Sequence, residues 1–101
     1  MFFMLKLHPP RPSFALDMTE AERAIMTRHG EYWREFLEKG HAVAFGPVMD
    51  PAGPFGLGIV EVEGEAQLKD FIAGDPALTT GLTRLEYHPM RAVVRPHHPS
   101  N

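Results

Sequence analysis

A histidine that could act as an acid–base catalyst, His29, interrupts an apolar helical stripe. At about 100° per residue, the apolar positions around it fall within an arc of roughly 140°, and His29 lies near the centre of that arc. The stripe consists of Ile25, Met26, Tyr32, Trp33, Phe36 and Leu37, while Thr27, Arg28, Glu31, Arg34, Glu35, Glu38 and Lys39 fill the opposite side. A histidine that faces a core must bind a hydrogen-bond partner, coordinate a ligand or line a cavity.

Two interpretations of His29 follow from its type and position. In the structural one, the imidazole is a core group hydrogen-bonded to a backbone carbonyl. In the chemical one, it is a general acid or base on the floor of a cleft, because imidazole exchanges protons near neutral pH. The chemical role requires a carboxylate that orients the ring through its other nitrogen.

Asp75 is the best candidate for this carboxylate. It precedes Pro76, so its residue type and position also predict the N-cap of a short helix. The two roles can coexist, since a carboxylate has two oxygens. Asp50, in a loop, and Asp70, on the polar side of a helix, are weaker candidates.

The remaining polar residues form no catalytic or metal-binding motif. The other histidines are scattered, with no pair at helical i, i+4 spacing, and the serines lie outside any nucleophile turn. Gly46-Pro47 lacks the context of a phosphate loop and is typical of a strand end that another backbone or a ligand approaches closely. The scattered histidines are His8, His41, His88, His97 and His98, and the serines are Ser13 and Ser100. We therefore expect no metal and no cofactor.

Composition and charge limit the classes of function. The chain has 101 residues, enough for one domain, and its 44% hydrophobic and 23% charged residues are typical of a globular protein. The 10 Lys and Arg residues against 13 Asp and Glu give a net charge of -3, which disfavours a nucleic-acid partner. The absence of cysteine excludes disulfides and thiol catalysis. The apolar residues 1–5 are too few for an export signal or a membrane span, so we expect a cytoplasmic protein without a membrane partner.

Hydrophobic periodicity divides the chain into the elements that must position His29. Alternation predicts strands, and the capping-box sequence from Thr19 to Glu22 predicts the start of the long helix, which ends at Gly40. A proline-rich segment over 9–18 is predicted to be irregular and long enough to lie over a site. Predicted strands cover 2–8, 41–48, 56–63 and 82–94, with Pro89 marking a bulge or edge, and predicted helices cover 19–40, 64–73 and a short turn over 76–81.

The order β-α-β-β-α-β predicts an α+β fold of the ferredoxin-like plait, an antiparallel sheet with both helices on one face. The other face would then be open to solvent. We expect Phe2, Met4, Ala42, Ala44, Val60 and Val62 to contribute apolar surface there. A monomer would expose that patch, so we expect a homodimer through the open sheet face.

Several short motifs follow one another along the chain. They are the histidine inside the first long helix, Phe45-Gly46-Pro47 at the end of the second strand, the loop with Asp50 and Gly53, then Asp75-Pro76 and Gly81-Leu82. Their order and spacing resemble the YCII-related (YciI-like) family of the dimeric α+β barrel superfamily. The resemblance covers nearly the whole chain and implies one YciI-like domain over 1–95. The polar residues 96–101 that follow are expected to form a flexible tail. The segment over 9–18 departs from the family by being longer than the usual connection.

The resemblance also implies site residues. The active-site histidine and aspartate of the family correspond to His29 and Asp75, and its Gly-Pro corresponds to Gly46 and Pro47 near the same cleft. Tyr32 and Trp33 lie close enough on the helix to line the pocket and bind substrate, although such residues usually pack in a core.

Three hypotheses for function remain open at this point. The first is a small cofactor-independent enzyme in which His29, held by Asp75, moves a proton on a small organic molecule, as a lyase or isomerase does. The second is a non-catalytic module that binds a small ligand or simply dimerises. The third is oxidative chemistry on haem or quinol substrates, which the superfamily also includes.

Overall fold

The chain folds in the element order that the sequence predicts. The computed structural model describes residues 1–96. Its strands lie in the spatial order second, third, first, fourth, and all neighbouring strands are antiparallel. The elements are β1 (Phe2–His8), α1 (Phe14–Asp17), α2 (Glu20–Glu38), β2 (Ala42–Val48), β3 (Phe55–Glu61), α3 (Glu65–Gly74), α4 (Pro76–Thr79) and β4 (Arg84–Met90). The predicted ferredoxin-like α+β fold is confirmed.

The core lies between one face of the sheet and the two long helices. On β1, every second residue is buried, which places Phe3, Leu5 and Leu7 on the core side. Trp33 from α2 and Leu68 and Phe71 from α3 complete the same buried cluster. The apolar face of α2, with His29 on it, is therefore turned toward the sheet.

The predicted capping of α2 is confirmed in detail. The hydroxyl of Thr19 accepts from the backbone N–H of Glu22 at 3.1 Å, and the Glu22 carboxylate accepts from the backbone N–H of Thr19 at 2.9 Å. At the other end, Gly40 has a φ of 82°, the left-handed conformation that glycine adopts without strain.

Two element predictions differ from the structure. The segment over 9–18 contains the short helix α1, because Phe14 is buried and the N–H of Asp17 donates to the carbonyl of Ser13 at 3.1 Å. β4 ends at Met90, short of the predicted 94, and 91–96 form no regular structure. Pro89 lies on β4, an edge strand, as predicted. Of the predicted tail over 96–101, residues 97–101 lie outside the described residues.

The prediction of the open sheet face was wrong for three of its six residues. Ala42, Val60 and Val62 belong to the buried core. Val60 pairs with the buried Phe3, and directly paired residues lie on the same face. A bulge between Ala42 and Ala44 also shifts the register of β2. The open face carries Phe2, Met4 and Ala44 as predicted, because Met4 and Ala44 both pair with Ile59. Ile59 and Leu57, which pairs with Lys6, lie on the same face.

No helix among residues 1–96 is long and apolar enough to cross a membrane.

Candidate active site

The structure brings His29 and Asp75 into direct contact. The Nδ1 atom of His29 lies 2.8 Å from one carboxylate oxygen of Asp75 and 3.0 Å from the other. His29 is on α2 and Asp75 follows α3, so 46 residues of chain separate them. A carboxylate only accepts hydrogen bonds, so Nδ1 carries the proton that it donates to Asp75. In the neutral imidazole, the other ring nitrogen, Nε2, therefore holds the free lone pair.

Asp75 is fully buried, and its carboxylate is satisfied by three donors. Besides His29, the backbone N–H of Ala77 donates to Oδ1 at 2.9 Å, and the indole N–H of Trp33 donates to Oδ2 at 2.9 Å. The bond from Ala77 makes Asp75 the N-cap of α4, with Pro76 at the first helical position. The predicted N-cap and the contact with His29 are therefore present in the same side chain.

Local sequence explains why these groups meet. His29 and Trp33 are four residues apart on α2, so their side chains lie one turn apart on the same helix face. α3 ends at Gly74, and the turn into α4 places Asp75 beneath that face. The indole N–H was not anticipated as a partner, although its spacing of four from a core-facing histidine was a signal for it.

A cavity of about 390 Å³ opens beside the imidazole of His29. It is enclosed by α2, by the segment over 9–18 and by the adjoining ends of β2 and β3. Ligand pockets in proteins begin at about 300 Å³. The residues around it are Leu7, Pro9, Pro12, Phe14, Ala15, Met18, Met26, His29, Gly30, Trp33, Phe45, Gly46, Pro47, Met49, Pro54, Phe55, Gly56, Leu57 and Thr83. Because Nδ1 is bonded to Asp75, Nε2 is the nitrogen that His29 has available for a molecule in this cavity.

Most residues proposed from the sequence lie around this cavity, and Tyr32 does not. Trp33, Gly46 and Pro47 line it together with His29. The Tyr32 ring instead stacks on Phe71, and its hydroxyl donates to the Phe71 carbonyl at 2.9 Å. Burial, followed by the nearby negative charges of Asp75 and Glu35, raises the pKa of Tyr32. The expected substrate contact of Tyr32 is therefore a helix–helix packing contact.

The weaker carboxylate candidates lie elsewhere. Asp50 accepts from the backbone N–H of Ala52 at 2.9 Å, which organises its own loop. Asp70 is exposed on α3. Among residues 1–96, no group of three His, Asp or Glu side chains is placed to hold a metal ion.

The cavity wall over 9–18 is held to α2 by Arg11. The guanidinium donates to both carboxylate oxygens of Glu22, at 2.8 and 2.7 Å, and its Nε donates to the carboxylate of Asp17 at 2.8 Å. The bonds from Arg11, followed by the backbone N–H of Thr19, lower the pKa of Glu22 to about 2. A planar guanidinium suits this bidentate contact with Glu22, which fixes the segment over 9–18 relative to α2.

Comparison with known proteins assigns the chain to a family. The model of the YCII-related domain matches residues 1–91, which include His29, Asp75 and the whole sheet. The chain belongs to the YCII-related domain family. This confirms the resemblance drawn from the order of the motifs. No curated protein matches the chain.

A solved structure shares the fold of this YCII-related domain. It is the 5-chloro-2-hydroxyhydroquinone dehydrochlorinase TftG from Burkholderia phenoliruptrix AC1100, in complex with 2,5-dihydroxybenzoquinone. The TM-score is 0.68 at 17% identity, and the match covers 90% of this chain and 94% of the dehydrochlorinase. At that identity, the similarity shows a common fold.

Proposed function

We propose that this YCII-related protein is a cofactor-independent enzyme that moves a proton on a small organic molecule. The observation that carries the proposal is the contact between Nδ1 of His29 and the buried carboxylate of Asp75, beside a cavity that His29 lines. The contact fixes the ring orientation and leaves Nε2 as a base. In this arrangement, an imidazole needs neither a metal nor a redox group to transfer a proton.

The proposed reaction begins when Nε2 of His29 takes a proton from a carbon of the bound molecule. In an elimination, the electron pair of the broken C–H bond forms a C=C bond, and a leaving group departs from the adjacent carbon with the electrons of its own bond. In an isomerisation, the same proton returns to a different carbon. The carboxylate of Asp75 stabilises the positive imidazolium that exists between the two steps.

The related dehydrochlorinase supports the elimination branch of this proposal. Its name describes the loss of hydrogen chloride from a chlorinated ring, which is a proton abstraction coupled to departure of a leaving group. A common fold with 17% identity does not transfer a substrate, so the proposal rests on the geometry around His29.

Proton exchange in D₂O tests the proposal and does not require the natural substrate. A panel of small ring compounds, each with a C–H next to a carbonyl or a leaving group, is incubated with the protein and followed by NMR. We expect wild type to exchange or eliminate at one or more members, and His29→Gln to be slower by about 10²–10⁴-fold. Binding of panel members without any exchange would contradict the proposal and identify a non-catalytic binding module.

We also propose that two copies associate through the open sheet face. The support is the apolar surface formed by Phe2, Met4, Leu57 and Ile59 on the side of the sheet opposite α2 and α3. Burying such a face against a second copy removes apolar area from water.

A further inference from the structure

The cavity beside His29 has an almost entirely apolar lining. Among the described residues that line it, only His29, Trp33 and Thr83 carry side-chain nitrogen or oxygen atoms, and no Lys, Arg, Asp or Glu lines it. The indole N–H of Trp33 already donates to Asp75, and the hydroxyl of Thr83 donates to the carbonyl of Ala77. Five of the lining residues come from the segment over 9–18, namely Pro9, Pro12, Phe14, Ala15 and Met18. This segment therefore forms a large part of the boundary that a ligand meets.

Arg11 is a cation of this same segment, and its guanidinium is already engaged. Nη1 and Nη2 donate to the carboxylate of Glu22, while Nε and Nη2 donate to the carboxylate and carbonyl of Asp17. Two carboxylates therefore balance its charge, and it is not among the lining residues. Arg11 therefore has a structural role, because it holds the segment over 9–18 against α2.

These facts have a consequence for the charge of the ligand. A carboxylate or phosphate in the cavity would lose its hydration without gaining a cationic partner, which is costly in an apolar environment. A protonated His29 would not replace that partner, because Asp75 already balances its charge at 2.8 Å. An uncharged molecule with one polar group for Nε2 meets no such penalty.

We propose that the segment over 9–18, fastened by Arg11, is the specificity-determining wall of the cavity and restricts the site to uncharged, largely apolar small molecules. This rests on the proposed function, because it names the ligand class of the same site. A cavity of about 150 Å³ suffices for benzene, so a volume of about 390 Å³ accommodates one substituted ring. Arg11 acts here as a positioning residue.

Two probes of the same carbon skeleton test the charge preference. Benzyl alcohol is neutral and offers one hydroxyl, whereas benzoate is an anion at pH 7. Binding is followed through the indole N–H signal of Trp33, the only tryptophan in the chain, which lies between Asp75 and the cavity. We expect benzyl alcohol to bind at least about tenfold more tightly than benzoate.

Variants of the wall test its role. Ala15 is an exposed residue of α1 that lines the cavity. Ala15→Phe adds a ring there, and we expect it to weaken benzyl alcohol binding by about tenfold because less space remains. Leu16→Phe is the matched control, because Leu16 is 91% exposed and outside the lining. Arg11→Ala is expected to weaken benzyl alcohol binding and leave benzoate binding as weak as before.

Several outcomes would overturn the proposal. They are equal binding of the two probes, no binding of benzyl alcohol up to its solubility limit, an Ala15→Phe variant that binds as wild type does, or benzoate binding that Arg11→Ala abolishes. The last would identify Arg11 as an anion site. His29→Gln separates this proposal from the proposed function, since the wall is intact in that variant. That variant should keep the preference for benzyl alcohol while it loses proton transfer. A wild-type protein that prefers benzyl alcohol but transfers no proton would contradict the proposed function alone.

Discussion

The indole ring of Trp33 lies directly over the α-carbon of Gly58, where a β-carbon would overlap the ring. Gly58 is buried on β3 and pairs with Leu5 at the centre of the sheet. The missing side chain makes room for Trp33, and the position of Trp33 in turn directs its N–H toward Asp75. Gly58 therefore helps to position Trp33 and, through it, the carboxylate of Asp75 in the candidate site.

Gly58→Ala is therefore expected to lower the free energy of unfolding by about 1–3 kcal/mol, because the methyl group displaces a packed indole. Chemical denaturation measures the change. Gly30→Ala on α2 is the control, and it is expected to raise the free energy of unfolding. A β-carbon there meets nothing within 4 Å, and alanine favours a helix over glycine by about 1 kcal/mol. Equal stability of Gly58→Ala and wild type would contradict the packing described for Trp33.

Asp75→Asn is expected to lower the free energy of unfolding by about 1–3 kcal/mol. An amide has one acceptor oxygen, so its NH₂ must face either the indole N–H of Trp33 or, in the place of Oδ1, the backbone N–H of Ala77 together with Nδ1 of His29. Either orientation leaves one N–H facing the NH₂. In the second, moving the imidazole proton from Nδ1 to Nε2 relieves only the contact with His29, and Nε2 then loses its basic lone pair.

Long-range ¹H–¹⁵N NMR spectra of the imidazole distinguish the two tautomers directly. Asp70→Asn, an exposed change on α3, is the control and should leave the His29 pattern as in wild type. The pattern in Asp75→Asn shows which orientation the amide adopts, because one of the two keeps the proton on Nδ1. An Asp75→Asn variant as stable as wild type would contradict the three bonds to the carboxylate.

Acid should release the wall of the cavity. Bonds from Arg11 and from the backbone of Thr19 lower the pKa of Glu22 from 4.5 to about 2. A carboxylate with a lowered pKa in the folded state contributes stability that is present above its ordinary pKa and is lost as the pH falls toward about 2. In Arg11→Ala, the ¹³C titration midpoint of the Glu22 carboxyl should rise toward 4.5. A midpoint that stays at about 2 in this variant would assign the shift to the helix cap instead.

Self-association through the open sheet face predicts a mass of two chains by light scattering at micromolar concentration. Ile59→Lys places a charge opposite Met4 on that face and should shift the mass to that of one chain. Leu16→Lys changes an apolar residue that is 91% exposed and away from the sheet, so it should leave the mass unchanged. A wild-type protein with the mass of one chain would rule out this association.

Sequence patterns predicted the parts of the fold that depend on local chemistry. Thr19 and Glu22 specify their helix start by themselves, and Asp75-Pro76 does the same for α4, because caps need only neighbouring backbone groups. The alternation in β1 also agrees with the structure, because Phe2 and Met4 were expected on the open face and the alternate residues Phe3, Leu5 and Leu7 are buried.

The parts that depend on distant partners were not predictable in this way. Val60 and Val62 alternate with Glu61, but alternation does not say which face is covered, and that depends on the pairing of Val60 with Phe3. Tyr32 and Trp33 are adjacent in sequence, yet one packs on α3 and the other reaches the cavity. The bond from Trp33 to Asp75 likewise depends on how α2 and the start of α4 pack together.

The buried carboxylate of Asp75 has a consequence for how this protein can evolve. The same two oxygens cap α4, hold the indole of Trp33 and orient His29. Selection for a folded chain is therefore enough to keep Asp75, whether or not a descendant carries out proton transfer, and any histidine kept at position 29 retains its partner. New substrates would be acquired through exposed lining residues of the segment over 9–18, such as Pro12 and Ala15, which carry no such structural role.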